Sequence, residues 1–407
     1  MPWMVRWAGR VPLFVAEAAG ARIRDVDGHE YVDLCLGDTG AMAGHSPGPT
    51  VAAIARAAAR GITTMLPTED AIWVGEELTR RFGLPSWQLT LTATDANRFA
   101  LRVARHVTGR PRVLVFDWCY HGSVDESFIT LRPDGSAGPR PGAIGPPVDP
   151  RLTTRVVEWN DPVALEAALA EGDVAAVLAE PVMTNIGIVH PEPGFHDALR
   201  VLTRRSGTLL VIDETHTLSA GPGGCTAAYG LQPDMLTIGK TIAGGIPAGA
   251  YGMSEAVARR LSSSTQTDEA DVGGIGGTLA GNGLSSAAIR ATLGEVLTPA
   301  AFEQMMPLGA RWEAGVADAI AEAGLPWHVS RLGCRAEYAF RATAPRTGAE
   351  AAAADDPMLS RYLHLFALDR GVLLTPFHNM ALMSPATTAA DVDHHTAVFR
   401  EALATLG

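Results

Sequence analysis

Runs of apolar, often β-branched residues recur through the middle of the chain, and each run ends in polar or glycine residues. We predict buried parallel strands at residues 112–116, 174–179, 208–212 and 235–238. Between them, alanine and leucine recur at three- and four-residue spacing, which predicts helices at 162–171 and 195–204. This alternation predicts an α/β fold with a large domain built on a mostly parallel sheet.

The two ends of the chain carry shorter elements. Residues 21–36 alternate in polarity around Asp27-Gly28, which predicts a β-hairpin. After Gly294 the pattern predicts helices at 302–323 and 357–369, with short strands near 337–341 and 372–374. We therefore predict a large domain at 41–293 and a smaller α+β domain at 294–407, which the N-terminal segment 1–40 joins.

Polar residues follow each of the predicted parallel strands. In open sheets of this kind, ligands bind beyond the carboxyl ends of the strands. The residues that reach this edge are Asp117 to Gly122, Glu180-Pro181, Asp213-Glu214 and Gly239-Lys240. The topology therefore predicts a ligand site that contains carboxylates, an aromatic ring and a lysine.

Composition narrows the classes of function. Of the 407 residues, 47% are hydrophobic and 19% are charged, which is typical of a globular protein with a large core. The formal charge of −12 makes a nucleic-acid partner unexpected. The four cysteines form no C-x-x-C pair, and we predict neither a disulfide framework nor a metal site. With no signal-peptide or membrane-spanning pattern, we expect a soluble cytoplasmic protein with no membrane partner.

Lys240 is the only lysine among the 32 basic residues, and the other 31 are arginines. Arginine stays protonated and cannot condense with an aldehyde, whereas a buried lysine can lose its proton and act as a nucleophile or base. A lysine at a sheet edge, with an aspartate and an aromatic ring nearby, is what pyridoxal phosphate requires. Asp213 suits the position opposite the pyridine nitrogen.

The cofactor's phosphate needs backbone N–H groups at the start of a helix. Residues 96–107 show helical spacing, with Thr94 as the predicted N-cap, and residues 276–278 form a second small-residue segment that a phosphate could approach. Either segment is a common pattern taken alone.

These residues resemble those of class III aminotransferases of pyridoxal phosphate fold type I, and most of all the glutamate-1-semialdehyde aminomutase-like branch. The resemblance covers nearly the whole chain. The segments that carry it are D-V-D-G-H-E-Y-V-D at 25–33, G-H at 44–45, T-D-A-N at 94–97, C-Y-H-G at 119–122, E-P-V-M-T-N-I-G at 180–187, D-E-T at 213–215, T-I-G-K-T-I-A-G-G-I-P-A-G-A-Y-G at 237–252 and G-T-L-A-G-N at 277–282.

The resemblance implies a catalytic pair, Lys240 as the Schiff-base lysine and Asp213 as the partner of the pyridine nitrogen. It further implies a homodimer with shared active sites, in which Thr278 reaches the phosphate of the neighbouring subunit. The other implied cofactor contacts are Ala93, Thr94, Tyr120, His121, Glu180, Thr215 and His216. Asn185 would lie in the pocket wall.

Several positions depart from the family's usual pattern. The phosphate loop, usually S-G-T-E-A, reads T-A-T-D-A at 92–96. Thr215 stands where valine is usual, and His216 and Trp118 stand where the family more often has other residues. These departures all fall on the predicted border of the site.

On the substrate side, the N-terminal arginine of the aminomutase branch falls near Trp3, with Arg6 a few residues away. The branch's C-terminal acid falls near Met380, where there is no carboxylate. Trp3, Trp118 and Met380 would favour an aromatic or apolar group in the substrate.

We therefore predict a class III amine transaminase that moves an amino group from an amine or (β-)amino acid to a keto acid or aldehyde. Two alternatives stay open: a glutamate-1-semialdehyde-type aminomutase or racemase, and a pyridoxal phosphate-binding protein without turnover.

Overall fold

The computed structural model describes residues 13–144, 148–263 and 274–406. In this part of the chain the main feature is a seven-stranded sheet. Its spatial order is Ser86–Thr90, Gly249–Met253, Met235–Ile238, Leu209–Asp213, Val174–Ala179, Arg112–Phe116 and Thr154–Val157. The last five of these strands are parallel, and Gly249–Met253 pairs antiparallel with both of its neighbours. The predicted α/β fold with a mostly parallel sheet is confirmed.

The strands found from apolar runs lie in the middle of this sheet. Every residue of Val174–Ala179 and Leu209–Asp213 is buried, as expected for strands covered by helices on both faces. The strand predicted at 208–212 begins and ends one residue later, so Asp213 is its last residue. That shift pairs Asp213 with Thr237 of the neighbouring strand and fixes the position of its carboxylate.

Helices cover the sheet and extend beyond it. Each of the predicted helices is present, within three residues of its expected ends. The helices are Gly48–Ala58, Glu69–Phe82, Ala93–Thr108, Pro162–Leu169, Phe195–Ser206, Gly224–Ala228, Glu255–Ser262, Gly283–Ala291, Pro299–Glu322, Gly348–Ala352, Pro357–Leu368 and Ala389–Ala404. Within the described residues, no helix combines the length and apolar composition that a bilayer span requires.

Smaller sheets bring the two chain ends together. The predicted hairpin is present as Arg22–Asp25 and Glu30–Asp33, and Val15–Ala19 and Val372–Leu373 complete a four-stranded sheet with it. A three-stranded antiparallel sheet contains His328–Leu332, Arg335–Ala339 and Met380–Leu382. Ile129–Leu131 pairs with Ala137–Pro139, and the two strands form a separate short hairpin. The division of the chain into two domains stays a prediction.

Candidate active site

A cavity of about 490 Å³ lies at the carboxyl ends of the parallel strands. The sequence analysis expected a ligand at this edge, and most of the side chains that it named meet there. They are Ala93, Thr94, Tyr120, His121, Glu180, Asp213, Thr215, His216 and Lys240. Topology and tertiary structure thus place the candidate chemistry in one cavity.

Asp213 lies at the bottom of this cavity and is almost fully buried. Its Oδ2 accepts hydrogen bonds from Asn97 Nδ2 at 2.8 Å and His121 Nδ1 at 2.9 Å, and its Oδ1 accepts one from the Thr215 backbone N–H at 3.0 Å. Burial favours the neutral acid, but these hydrogen bonds outweigh it and lower the pKa of Asp213 to about 2. The residue therefore presents a fixed negative charge to the cavity.

Asn97 orients Asp213, and the sequence analysis did not assign it a role. Its Oδ1 accepts a hydrogen bond from Thr237 Oγ1 at 2.6 Å, which leaves its amide N–H groups for Asp213 and the carbonyl of His121. Asn97 lies on the buried face of the helix Ala93–Thr108, at a position where helical periodicity calls for an apolar residue. In the sequence, an asparagine at a position where the helix pattern calls for an apolar residue is the signal that could have identified it.

Lys240 follows the strand Met235–Ile238 after one glycine, and its backbone is left-handed, with φ of 53°. Such a φ is uncommon for a residue with a Cβ atom and is typical of functional sites. A Cβ atom on Gly239 would lie 2.8 Å from the backbone nitrogen of Ala93, so only glycine lets this turn approach the helix. Lys240 Nζ contacts Asp38 Oδ2 at 2.7 Å and His216 Nε2 at 2.8 Å.

The helix Ala93–Thr108 begins at the cavity and forms a cradle for an anion. Its N-cap is Thr92, whose side chain accepts a hydrogen bond from Asp95 N, so the prediction of Thr94 as N-cap was wrong. The reason is that the helix begins one residue before Thr94, which places the Thr94 hydroxyl within the first turn. There it accepts a hydrogen bond from Ser123 N at 3.1 Å.

Gly122 closes the other side of this cradle. A Cβ atom at Gly122 would lie 2.1 Å from Thr94 Oγ1, and its φ of 76° is left-handed. The helix N-terminus supplies free N–H groups and a positive dipole end, which suit a phosphate. With a fixed carboxylate and a lysine across the same cavity, the residues present fit pyridoxal phosphate.

Tyr120 and Glu180 complete the lining of the cavity. Tyr120 is partly exposed to it, and partial burial raises the pKa of its phenol. Glu180 is buried and hydrogen-bonded to the hydroxyl of Thr184. Burial raises the pKa of Glu180 to about 7, although the hydrogen bonds and His121 oppose the shift.

A cluster of ionisable side chains, most of them buried, connects to Lys240 through Asp38 and His216. We call Asp38, His216, Arg335, Glu337 and His378 the charged wall. Arg335 Nη2 donates to the Thr184 carbonyl at 3.0 Å and lies 3.4 Å from Glu337 Oε2. Glu337 also pairs with His378 Nδ1 at 3.1 Å. Apart from His216, the sequence analysis identified none of these residues.

The remaining substrate-side predictions have different outcomes. Trp118 and Asn185 line a second cavity of about 460 Å³, together with Glu337, Phe377 and His378. Met380 is fully buried in a strand of the three-stranded sheet and lines neither cavity, so its placement gives it a packing role and corrects the prediction of a pocket contact.

Trp3 and Arg6 lie outside the described residues. Thr278 lies away from Lys240, in a third cavity that Gly276 and Trp87 also line. Within one chain, then, the structure does not bring Thr278 to the cofactor cavity.

Comparison with known proteins shows the family of the chain. The family model described as aminotransferase class-III matches residues 3–403. The chain is 36% identical over 405 residues to glutamate-1-semialdehyde 2,1-aminomutase of Sorangium cellulosum, a match that covers 98% of this chain and 91% of the relative.

Solved structures give the same result. A glutamate-1-semialdehyde aminomutase from Pseudomonas aeruginosa PAO1 is 54% identical, with a TM-score of 0.97 over 100% of this chain and 91% of that one. A variant of that enzyme was solved in complex with PMP. An omega-transaminase from Sphaerobacter thermophilus is 29% identical, with a TM-score of 0.89 over 98% of this chain and 92% of that one.

Proposed function

Because the chain belongs to the class III aminotransferase family, whose enzymes depend on pyridoxal phosphate, we propose that it is an aminomutase. It exchanges an amino group and a carbonyl oxygen between neighbouring carbons of one substrate, and glutamate 1-semialdehyde is the first candidate. The observation that carries this proposal is the 54% identity to an aminomutase across the whole chain. It favours the alternative of the sequence analysis over its main prediction of an amine transaminase.

We assign a different role in the reaction to each group of side chains in the cavity. The bound cofactor supplies an electron sink that stabilises negative charge on the substrate carbon. Lys240 is the group that binds the cofactor covalently and moves a proton at the substrate carbon. Asp213 keeps the pyridine nitrogen protonated, because its fixed negative charge favours the protonated form of a nearby base. The cradle formed by Thr92, Ala93, Thr94 and Gly122 anchors the phosphate.

The charged wall supports a polar substrate. Glu337 and His378 line the second cavity, and Arg335 and His216 connect them to Lys240 in the first. An aromatic ring cannot replace the hydrogen bonds to water that charged groups lose on burial, whereas a small acid with amino and carbonyl groups can hydrogen-bond to these groups.

A donor comparison tests the proposal. The enzyme is incubated with glutamate 1-semialdehyde and no keto acceptor, and formation of 5-amino-4-oxopentanoate is followed. We expect isomerisation, and we expect 1-phenylethylamine and β-phenylalanine with added pyruvate, and alanine with added 2-oxoglutarate, to be converted at least about tenfold more slowly, the discrimination that 1.4 kcal/mol provides. Release of a keto product with a requirement for the acceptor would contradict an aminomutase. Arg6→Ala, assayed beside the wild type, tests whether that residue binds the substrate carboxylate.

Transfer to a separate keto acid or aldehyde is the second candidate, because the omega-transaminase shares the fold over nearly the whole chain. Trp118 and Phe377, which line the second cavity, provide the apolar surface that such a donor needs. The same donor comparison separates the two functions.

We also infer a homodimer with shared sites. Met65, Leu66 and Leu279 are exposed apolar side chains at or beside the cavity that contains Thr278. A cluster of exposed apolar residues is typical of a protein interface. This surface would place Thr278 at the partner's cradle, as the family resemblance implies.

Subunit mixing tests the shared site. Lys240→Ala and Thr278→Ala proteins are combined under conditions that allow subunits to exchange. In a hybrid dimer one site regains both residues, so about a quarter of wild-type activity should return. A monomer by light scattering, or mixed proteins no more active than the sum of the two, would contradict it.

A cytoplasmic location is inferred as well. Cys35, Cys119, Cys225 and Cys334 are all buried free thiols, which is typical of a reducing compartment. Cell fractionation with an antibody to the protein would test the inference.

A further inference from the structure

The ammonium group of Lys240 has three N–H donors, and the structure gives it three acceptors. Nζ contacts Asp38 Oδ2 at 2.7 Å, the Asp38 carbonyl oxygen at 2.9 Å and His216 Nε2 at 2.8 Å. This arrangement satisfies the protonated lysine. A lysine that is to attack an aldehyde or accept a proton must be neutral, so its proton has to pass to a neighbouring base or to solvent.

His216 is the neighbour that can take this proton. A backbone carbonyl is not a base at neutral pH. Burial opposes ionisation of Asp38, but the nearby basic groups, His216 and Lys240 first and then His378 and Arg335, outweigh it and hold the pKa of this carboxyl below its ordinary value. Burial, followed by the charge of Lys240, lowers the pKa of His216 well below its ordinary value, so its ring is neutral. Nε2 of this neutral ring faces Nζ.

The second nitrogen of His216 is also engaged. Nδ1 lies 2.9 Å from Thr39 Oγ1, to which it donates when Nε2 accepts from Lys240. Arg335 Nη1 lies 3.4 Å from Nδ1 and opposes protonation of the ring, as does the nearby His378. Asp38 is the negative group that favours protonation. As the proton moves from Nζ to Nε2, the charge of Lys240 that disfavours the imidazolium disappears.

Strained backbone holds Asp38 at this place. Leu36, Gly37, Asp38 and Thr39 have φ values of 46°, 56°, 50° and 79°. Three of these residues have a Cβ atom, for which a left-handed backbone is unfavourable. Asp38 Oδ1 is buried and has no hydrogen-bond partner in the described ranges. The other carboxylate oxygen, Oδ2, accepts a hydrogen bond from Lys240 Nζ.

We propose that His216 and Asp38 are catalytic residues at Lys240: His216 takes a proton from Nζ and returns it, and Asp38 balances the charge that moves. The Nζ–H bond breaks as the Nε2–H bond forms, and no electron or further reactant is involved. The net charge of Asp38, His216 and Lys240 is the same before and after. The inference rests on the proposed role of Lys240 as the cofactor-binding lysine.

The test measures how fast the cofactor-free protein captures pyridoxal phosphate in the absence of any substrate. Borohydride traps the covalent link, and peptide mapping distinguishes a link to Lys240, the only lysine, from one to the N-terminal amine. His216→Ala should slow capture at pH 7 by about 100-fold, the scale of general acid–base catalysis. Added imidazole, which can occupy the vacated space, should restore at least a tenth of the lost rate.

His216→Gln fills the space but cannot accept the proton, so its capture should be slow and indifferent to imidazole. Asp38→Asn should move the whole pH–rate profile of capture to lower pH by about 1 to 3 units, because the carboxylate that favours both protonated forms is gone. His395→Gln is the matched control, since His395 is a buried histidine outside the cavity lining, and burial lowers its pKa to about 3. It should capture at the wild-type rate.

Wild-type capture by the His216 variants would overturn the inference. So would a slow His216→Ala protein that unfolds at the wild-type temperature and fails to respond to imidazole. If His216→Ala does not fold, a wild-type rate in His216→Gln has the same force. Capture that persists in Lys240→Ala would instead refute the proposed role of Lys240, which keeps the two failures distinct.

Discussion

The site around Lys240 has two sides that are built in different ways. On the cofactor side, Asp213, Lys240 and the cradle at Thr92–Thr94 follow strands of one sheet or begin the helix packed against it. On the other side, the charged wall draws Asp38 from a loop after the N-terminal hairpin and Arg335, Glu337 and His378 from the last quarter of the chain. The first side is local in topology, and the second depends on distant segments meeting.

This difference indicates which of the two sides can accept amino-acid substitutions. Asp213 and Lys240 match the family pattern, and their chemistry with the cofactor leaves little choice of side chain. The charged wall contains departures from that pattern, such as His216. Because the wall contacts Lys240 through Asp38 and His216, its residues can alter the chemistry of the lysine while Asp213 and the cradle stay unchanged.

Lys240→Ala should give the largest effect and test the cofactor side directly. We expect loss of the borohydride-reducible link to pyridoxal phosphate and a fall in turnover of at least about 10⁴-fold, since nucleophile and base are removed together. Mass spectrometry of the reduced protein checks the link. An adduct on the N-terminal amine of the wild type, with Lys240 unmodified, would move the cofactor chemistry elsewhere.

Asp213→Asn should give the next largest effect. The variant should still bind the cofactor, but proton abstraction should slow by about 10² to 10³-fold, because the fixed negative charge at the pyridine nitrogen is lost. Asn97→Ala keeps that charge and removes one hydrogen bond that orients it, so its loss should be smaller. Rates of deuterium exchange into the substrate measure both, and near-normal exchange in Asp213→Asn would rule out this role.

Gly122→Ala tests the cradle. The new Cβ atom would clash with Thr94 Oγ1 at a left-handed position, so we expect a loss of about 3 kcal/mol in unfolding free energy and weaker cofactor binding. Gly48→Ala is the control, because no atom lies within 4 Å of its added Cβ and its φ is not left-handed. Denaturant unfolding and cofactor titration check both variants; equal behaviour of the two would mean that the cradle tolerates the methyl group.

Glu180→Gln should have the smallest effect, and it depends on pH. The pKa of Glu180 is raised to about 7 in the folded protein, above its ordinary value, so the folded state binds the proton more tightly. Stability from this group is full below about pH 4.5 and is lost as pH rises through 7. Without cofactor, the variant should gain about 2 kcal/mol relative to the wild type between pH 5 and pH 8. Unfolding measured at both pH values checks the sign, and a constant difference would contradict it.

Much of the fold could be predicted because its signals are local. The runs at 112–116, 174–179 and 235–238 are buried on both faces, so nearly every side chain in them is apolar and the strands are recognisable without their neighbours. Thr92 and Thr94 show the limit of this reasoning. Both can cap a helix, and the sequence does not show which of them does. In the structure the helix begins at Ala93, which lies against Gly239.

The sequence by itself determined the parallel sheet, the single lysine and the aspartate that faces it, because strand ends in such a sheet converge at one edge whatever the loops do. Only the tertiary structure decided that Asp38 and His216 would meet at Lys240 and that Arg335 and Glu337 would stand behind them. Asp38 and Lys240 are separated by 202 residues, and no periodicity or motif encodes a contact at that distance. Such a contact depends on how the N-terminal loop and the small antiparallel sheet pack against the large sheet, which is the result of burying apolar faces throughout the chain.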